Sequence, residues 1–366
     1  MKAVFSFGNF ETTLRIRRAV PSMEELAEFA ARNSGVLAVC DEHTFPVVMK
    51  MAEKNKINRC VLKSGEASKN WDSIRKILRC AREAGLGRDG LVVGAGGGVI
   101  CDMAAFAASI YMRGCGLCLA PTTLLAMVDA AVGGKTGFDL FGIKNLAGTF
   151  YPASLVFAAL ESLHTLPAKE WQSGMAELIK TAILEGGDFP DLVRSLIPEG
   201  NPEKIDCEGD ALFRCVSRAA LFKGRLVEKD PEETGAHRAL LNLGHSFGHA
   251  LESVAGLGRL SHGEAVAWGM VRACELGLFL GVTGRERAAE IVSLVEAFGY
   301  RTAAPHPLMG DGAAFIAALG ADKKRKGGEP VFIVPAEEGA RMVSGAAFGA
   351  GGWEEPVKKI VCGIRP

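Results

Sequence analysis

Between Leu91 and Leu160 the chain carries only six charged side chains: Asp102, Arg113, Asp129, Lys135, Asp139 and Lys144. At the 23% charged content of the whole chain, a stretch of that length would hold about 16, as ordinary globular sequence does. A run so apolar has to be largely buried, and each charge left in it is costly unless it is paired or binds something. The uncharged part Gly114 to Val128 is interrupted by Pro121 and is shorter than the roughly 18 apolar residues needed to span a bilayer. The stretch therefore reads as the middle of a globular core whose few charges are candidates for chemistry.

Around it the pattern alternates. Val36 to Cys40, Arg59 to Gly65 and Leu91 to Gly98 are short apolar runs ending in turn residues, and helical spacing fills Trp71 to Ala84. That alternation predicts a mostly parallel sheet with helices on its faces. Beyond Ala168 the spacing becomes helical over 169–184, 211–227, 245–255, 264–280 and 285–298. Val331 to Val334 reads as one short strand. With 366 residues, roughly two domains fit. The simplest division is near residue 160, into an α/β domain (1–160) and a helical domain (161–366).

Lys and Arg number 42 and so do Asp and Glu, giving a formal charge of zero. The first 160 residues are net basic and the rest net acidic. Neutrality argues against a nucleic-acid partner, which needs a basic excess to meet phosphates. A small anion needs only a few local cations. Ten cysteines without disulfide-like spacing point to reduced thiols, hence a cytoplasmic location. No export or membrane signal is expected from the N-terminal run with Glu11, Arg15, Arg17 and Arg18. Cys115 and Cys118 form a CxxC, but inside an apolar, strand-like run, where buried thiols are the simpler reading than a redox or zinc pair.

Three segments carry possible chemistry. Gly94 to Asp102, GAGGGVICD, follows a strand and opens a helix, where glycines let backbone approach a pyrophosphate at a helix N-terminus. The third Gly of GxGxxG is replaced by Val99, so as a dinucleotide signal it competes with a plain tight turn. GEASK (Gly65 to Lys69) ends another strand. Pro121 to Asn145 holds Thr122 and Thr123 at a strand end, Lys135 after two glycines, and the Lys144–Asn145 pair. A complete P-loop is absent, because residue 129 is Asp where the pattern requires Gly. Two lysines, Arg113 and Asn145 in so apolar a setting favour an anion pocket. The third segment is HRALLNLGHSFGHALE, from His237 to Glu252. His245 and His249 lie four apart on one helical face, with Arg238 and Asn242 before them and His262 after. In AELIK, Glu177 and Lys180 share a face. Imidazoles with a carboxylate are the donor set of an open catalytic zinc site, and on spacing alone His245 and His249 read as joint ligands. HExxH, the zincin protease motif, is absent.

These motifs, in this order, resemble the 3-dehydroquinate synthase family of sugar-phosphate cyclases, from about Asp41 to Lys324. GGGVICD, YMRG, PTTLLA, VGGKTG, KN, AELIK, LLNLGHSFGHALE and HGEAVA carry the resemblance. It implies a Rossmann-like NAD-binding α/β domain, a C-terminal all-α metal-binding domain, an active site in the cleft between them, and a homodimer. Glu177, His245 and His262 become the ligands of Zn2+ (or Co2+), and His249 a substrate contact. Asp41, Glu66, Lys69, Gly97, Gly98, Asp102, Thr122, Thr123 and Thr165 resemble the NAD contacts. Lys135, Asn145, Asn242, His249 and Lys324 (or Lys323) resemble substrate-binding positions. Arg113 is similar to an arginine donated across the dimer interface, and Asp129, Lys144, Lys180, Lys223 and Arg238 complete the pocket. The chemistry implied is NAD-dependent oxidation, phosphate elimination, re-reduction and aldol closure of a phosphorylated keto acid, 3-deoxy-D-arabino-heptulosonate 7-phosphate.

Three departures stand out. Cys101 occupies a position where the family usually has Gly, FDLFGIKN lacks the common Pro-Leu-Gly before Lys-Asn, and the connection GAHR into Arg238 is one residue longer. Lys223, Arg238 and Asn242 favour a carboxylate-bearing substrate. Competing readings are a sibling cyclase using sedoheptulose 7-phosphate, a metal-dependent polyol dehydrogenase of similar fold, and an inactive binding protein.

Overall fold

The computed structural model describes residues 1–23, 25–26, 35–52, 57–197, 205–256, 258–324, 330–344, 347–348 and 352–364, with 321–324 described by backbone alone. In chain order the described strands are β1 Lys2–Phe7, β2 Phe10–Arg17, β3 Val36–Asp41, β4 Asn58–Leu62, β5 Leu91–Gly96, β6 Gly116–Pro121, β7 Phe138–Leu140, β8 Ile143–Ala147, β9 Leu155–Ala159, β10 Val331–Pro335 and β11 Ala340–Ser344. The helices are α1 Phe45–Ala52, α2 Trp71–Glu83, α3 Gly98–Ile110, α4 Ala168–Glu185, α5 Phe189–Arg194, α6 Asp210–Lys229, α7 His245–Ala255, α8 His262–Phe279, α9 Arg285–Ala297, α10 Gly312–Lys324 and α11 Glu354–Val361. They form two compact units: Met1–Trp171 with Cys207–Glu232, and Gln172–Asp206 with Glu233–Pro366. Where the sequence reading drew one boundary near residue 160, the contacts place α6 with the first unit.

The first unit is built on a seven-stranded sheet in the order β1-β2-β9-β6-β5-β3-β4. All pairings are parallel except β1 with β2. Every residue of β5 and β9 is buried, which is why these strands read as unbroken apolar runs: a central parallel strand is covered on both faces. Helix α3 follows β5 at once and lies tight on it. A Cβ on Gly96 would sit 2.6 Å from the Ile100 Cβ, so the glycine run serves packing as well as any ligand. The substitution of Cys101 is absorbed here, with its buried Sγ 3.6 Å from the Gly96 carbonyl oxygen. Cys115 and Cys118 are buried at β6, and burial pushes their thiols up to about 11 and about 12. Both behave as core residues.

Two hairpins escape the sequence pattern. β1 is half exposed along its length, so its apolar signal is diluted. FDLFGIKN folds back on itself as β7 and β8, turning through Phe141 and Gly142, both at positive φ.

The second unit is helical apart from the antiparallel β10–β11 pair, whose first strand is the Val331–Val334 run. Helices α7 and α8 cross almost in backbone contact: a Cβ on Gly269 would lie 2.1 Å from the Gly244 oxygen. α8 starts with a capping box, the Ser261 hydroxyl accepting from the Glu264 amide while the Glu264 carboxylate accepts from the Ser261 amide. That fixes where the helix begins, and it begins at His262. Among the described residues, no helix is long and apolar enough to cross a membrane.

Candidate active site

In the first unit, the carboxyl ends of the central strands gather the sequence candidates. The N-terminus of α3 is capped by Gly97 without any side-chain hydrogen bond, leaving amides available to an anion, as at a dinucleotide site. The Thr122 amide donates to the Gly96 oxygen at 3.0 Å, and the Thr123 hydroxyl accepts from the Ala126 amide at 3.2 Å, so both threonines line this turn.

One turn into α3, Asp102 meets Lys69, with Nζ 2.6 Å from Asp102 Oδ2 and 2.6 Å from Asn145 Oδ1. Lys69 is only 5% exposed. Burial opposes its charge, but the Asp102 carboxylate outweighs this and holds the ammonium above its ordinary pKa. Asp102 is also raised, because burial there outweighs the attraction of Lys69. Asn145 is brought in by the β7–β8 hairpin. Its amide donates to Asp139 Oδ1 at 2.8 Å, and the Asp139 amide donates to the Lys69 carbonyl at 2.8 Å. Asp139 was visible as one of six charges in the apolar run, but nothing in its spacing linked it to Lys69.

Elsewhere in this unit, Lys223 of α6 donates to Asp129 Oδ1 at 2.7 Å. Asp41 ends β3 and accepts from the amides of His43 and Thr44. Glu66, Thr165, Lys135 and Lys144 are exposed. Arg113 is exposed on a short helical turn, at φ +68° after Met112 at +49°.

In the second unit, Glu177, His245 and His262 converge. One donor atom from each lies within 4.8 Å of the others. The Glu177 Oε1 stands 3.6 Å from His245 Nε2 and 3.3 Å from His262 Nε2. Lys180, one turn along α4 and like Glu177 only 1% exposed, contacts Oε2. Burial disfavours the Glu177 charge, yet Lys180 and the two imidazoles hold its carboxyl well below the usual range. Burial and then Lys180 push His245 well down, toward the neutral imidazole that binds metal.

The outer atoms are arranged too. His245 Nδ1 faces the Leu243 carbonyl at 3.2 Å, and His262 Nδ1 faces Glu252 Oε2 at 3.7 Å. With protons on those nitrogens, both Nε2 lone pairs turn toward Glu177, the usual orienting device for metal-bound histidine. Burial works against charge on His262, but Glu177 and Glu252 on either side outweigh it and raise the imidazole to about 10. Lys180 takes one Glu177 oxygen, and the other faces the two imidazoles. A buried carboxylate in that condition, facing two imidazoles, fits a divalent cation of the zinc type.

His249 sits beside the group, its ring 5.3 Å from that of His245 and 6.2 Å from that of His262. A second triplet, His249, Glu252 and His262, could also hold an ion. Arg238 is buried, and Asn242 donates to Glu233 Oε1 at 3.3 Å. Glu233, at φ +54°, lies on the lengthened connection and was not singled out by the sequence pattern. Lys323 and Lys324 are the last residues of α10.

Two family descriptions match consecutive parts of the chain. "3-dehydroquinate synthase N-terminal" covers residues 59–173, and "3-dehydroquinate synthase C-terminal" covers 174–325. A 3-dehydroquinate synthase of Acidithiobacillus ferrooxidans is 38% identical over 302 residues, 82% of this chain and 80% of that protein. Among solved structures, 2-deoxy-scyllo-inosose synthase complexed with carbaglucose-6-phosphate, NAD+ and Co2+ superposes with a TM-score of 0.84 at 20% identity, covering all of both chains. The 2-epi-5-epi-valiolone synthase of Streptomyces hygroscopicus subsp. jinggangensis, with NAD+ and Zn2+ bound, gives 0.82 at 23% identity, covering 98% of this chain and 97% of that one. At those identities the solved structures speak for the fold.

Proposed function

The chain belongs to the 3-dehydroquinate synthase family, and from that membership we propose that it converts 3-deoxy-D-arabino-heptulosonate 7-phosphate to 3-dehydroquinate and inorganic phosphate. The activity is that of a carbon–oxygen lyase which closes a ring, and it serves aromatic amino acid biosynthesis. The observation that carries the site assignment is the convergence of Glu177, His245 and His262 on one point, with the buried Glu177 Oε1 facing both imidazoles.

Glu177 Oε1 and the two Nε2 atoms would hold Zn2+, with Co2+ as a substitute; such an ion polarises substrate hydroxyls and steadies developing alkoxide charge. The Gly97–Gly98 turn, Thr122, Thr123, Lys69 and Asp102 would hold NAD, with Asp41, Glu66 and Thr165 as further contacts; bound there, it would supply reversible hydride chemistry with no net oxidation. Lys180 stays on the far oxygen of Glu177 and keeps that carboxylate ionised. Glu252 and the Leu243 carbonyl hold protons on the outer nitrogens of His262 and His245. Lys135 and Lys144, with Asn145, would supply positive charge and a donor for the phosphate. Arg238 and Asn242, with His249 beside them, address the carboxylate and hydroxyls. Lys223 holds Asp129 in place.

The division of labour follows the two units, nucleotide in the first and metal in the second. All ten cysteines are free, which supports work in a reducing, cytoplasmic compartment. We also propose a homodimer with Arg113 donated to the partner. Its exposed, left-handed backbone is strain of the kind functional loops store.

Purified protein with NAD and zinc, given each candidate heptulose phosphate, tests the reading. Phosphate release with cyclic product and no lasting NADH is expected from the heptulosonate alone. Turnover only with sedoheptulose 7-phosphate would replace this reading with the sibling cyclase, and accumulating NADH with the polyol dehydrogenase.

A further inference from the structure

The three metal-binding side chains sit on three helices, Glu177 on α4, His245 at the first position of α7 and His262 at the first position of α8. The donor set is useful only if those helices keep their relative position to a fraction of an ångström. Part of that constraint is direct. A Cβ on Gly263, the residue after His262, would lie 2.5 Å from the Ser173 Cα and 2.8 Å from the Gln172 oxygen, so α8 begins against the backbone of α4. Bare contact sets a minimum distance but does not prevent sliding or parting.

A third segment supplies the tie. After α9 the chain reverses at Gly299, φ +78°, and delivers Tyr300 to α4, where its hydroxyl donates to the Gln172 carbonyl. The ring is 6% exposed. The next residues are held by α8: Arg272 Nη2 donates to the Thr302 carbonyl at 2.6 Å, and Trp268 Nε1 to the Ala303 carbonyl at 3.1 Å. Trp268 and Arg272 are both buried, and the guanidinium lies over the indole at 4.9 Å. Four consecutive residues thus bond to α4 at one end and to α8 at the other. The α4 attachment is five residues, about one and a half turns, before Glu177.

We propose that Tyr300–Ala303 is a staple that sets the Glu177 to His262 geometry, and that Tyr300 is a positioning residue for the metal site. Its hydroxyl bonds to the α4 backbone. It acts by holding the carbonyl of the turn that leads into Glu177. The inference rests on the metal reading above and adds to it a residue that composition and spacing gave no reason to single out.

The test is zinc affinity, measured by chelator competition on the full-length protein, for the unsubstituted chain, Tyr300→Phe and Trp268→Phe. Tyr300→Phe keeps the ring and removes only the hydroxyl. Zinc should bind about tenfold more weakly, as when an outer-shell partner is lost, and the visible spectrum of the Co2+ form should change. Leu294→Ala, a core truncation in α9 at a residue that makes none of these bonds, controls for general loosening: it should lower the melting temperature with zinc affinity and the Co2+ spectrum unchanged. If Tyr300→Phe cannot be obtained folded, Trp268→Phe, which cuts the staple at its other end, should give the same loss. Wild-type zinc affinity and an unaltered Co2+ spectrum in both staple variants would overturn the inference and leave the metal site standing. If the unsubstituted protein takes up no zinc, the metal reading falls and the staple falls with it.

Discussion

The two clusters that sequence reading placed in one pocket are built on opposite electrostatic plans. Around Lys69, each charge already has a protein partner: Asp102 and Asn145 share the ammonium, and Asp139 holds Asn145. Around Glu177, one carboxylate is held by Lys180 on one oxygen and faces two imidazoles with the other. The first cluster is self-sufficient, so a ligand there has to exchange for bonds already made. The second turns one carboxylate oxygen and two imidazole nitrogens toward one point, a donor set that would suit a divalent cation. A buried polar network is stable when satisfied and costly when not, so the second should depend on its ligand far more than the first.

That contrast can be broken in several places. The largest effect should come from Glu177→Ala, which removes the central carboxylate: bound zinc, read by metal analysis, should drop at least 100-fold and turnover with it, whereas unchanged metal content would mean the ligand set is wrong. Next, Lys69→Met leaves Asp102 mostly buried without its ammonium and should destabilise the protein by about 3 kcal/mol. A urea titration showing no shift in midpoint would mean that the pair contributes nothing.

The pH dependence should separate the clusters further. In the metal-free protein His262 keeps its proton up to about 10, above the ordinary histidine value. The contribution of that proton to stability is full below the unfolded histidine pKa and is lost as pH rises through about 10. Zinc has to displace the proton, so its affinity should rise about tenfold per pH unit between pH 7 and 9; a flat profile would show that His262 is not a ligand. A smaller effect is expected from Asp139→Ala. It frees the Asn145 amide and should cost about 1 kcal/mol with zinc affinity unchanged. A change in zinc affinity would show that the two clusters are not independent.

Much of this was legible because the signals are local. The run from His237 to Glu252 puts imidazoles one turn apart, and the glycines after β5 mark a strand-to-helix junction. The central strands gave themselves away by being apolar throughout. What stayed hidden depends on pairing across distance. Spacing suggested His245 and His249 as partners, yet the third-helix residue His262 comes as near to Glu177 as His245 does, because Gly269 lets α7 and α8 touch. Asp139, Glu233 and Tyr300 owe their roles to partners 70, 9 and 128 residues away, and no periodicity records such distances. The β1–β2 hairpin was missed for another reason. It lies at a sheet edge, where half the side chains face water and the apolar alternation is weak.

The discontinuity of the first unit has a consequence for how the protein is made. Its last piece, α6, is translated only after the chain has left for the second unit and returned. Until then Asp129 lacks the ammonium of Lys223. Phe5 lacks the cover of Gly224, where even a Cβ would fall 2.4 Å from the ring. The Ser6 amide lacks the Glu228 carboxylate. At about 5–20 residues per second, the sixty or so residues from Gln172 to the end of the returning segment at Glu232 mean a wait of roughly 3–12 seconds on the ribosome with an open seam beside β1. Slowing or pausing synthesis between residues 171 and 232 should therefore increase misfolding more than the same pause placed after residue 232.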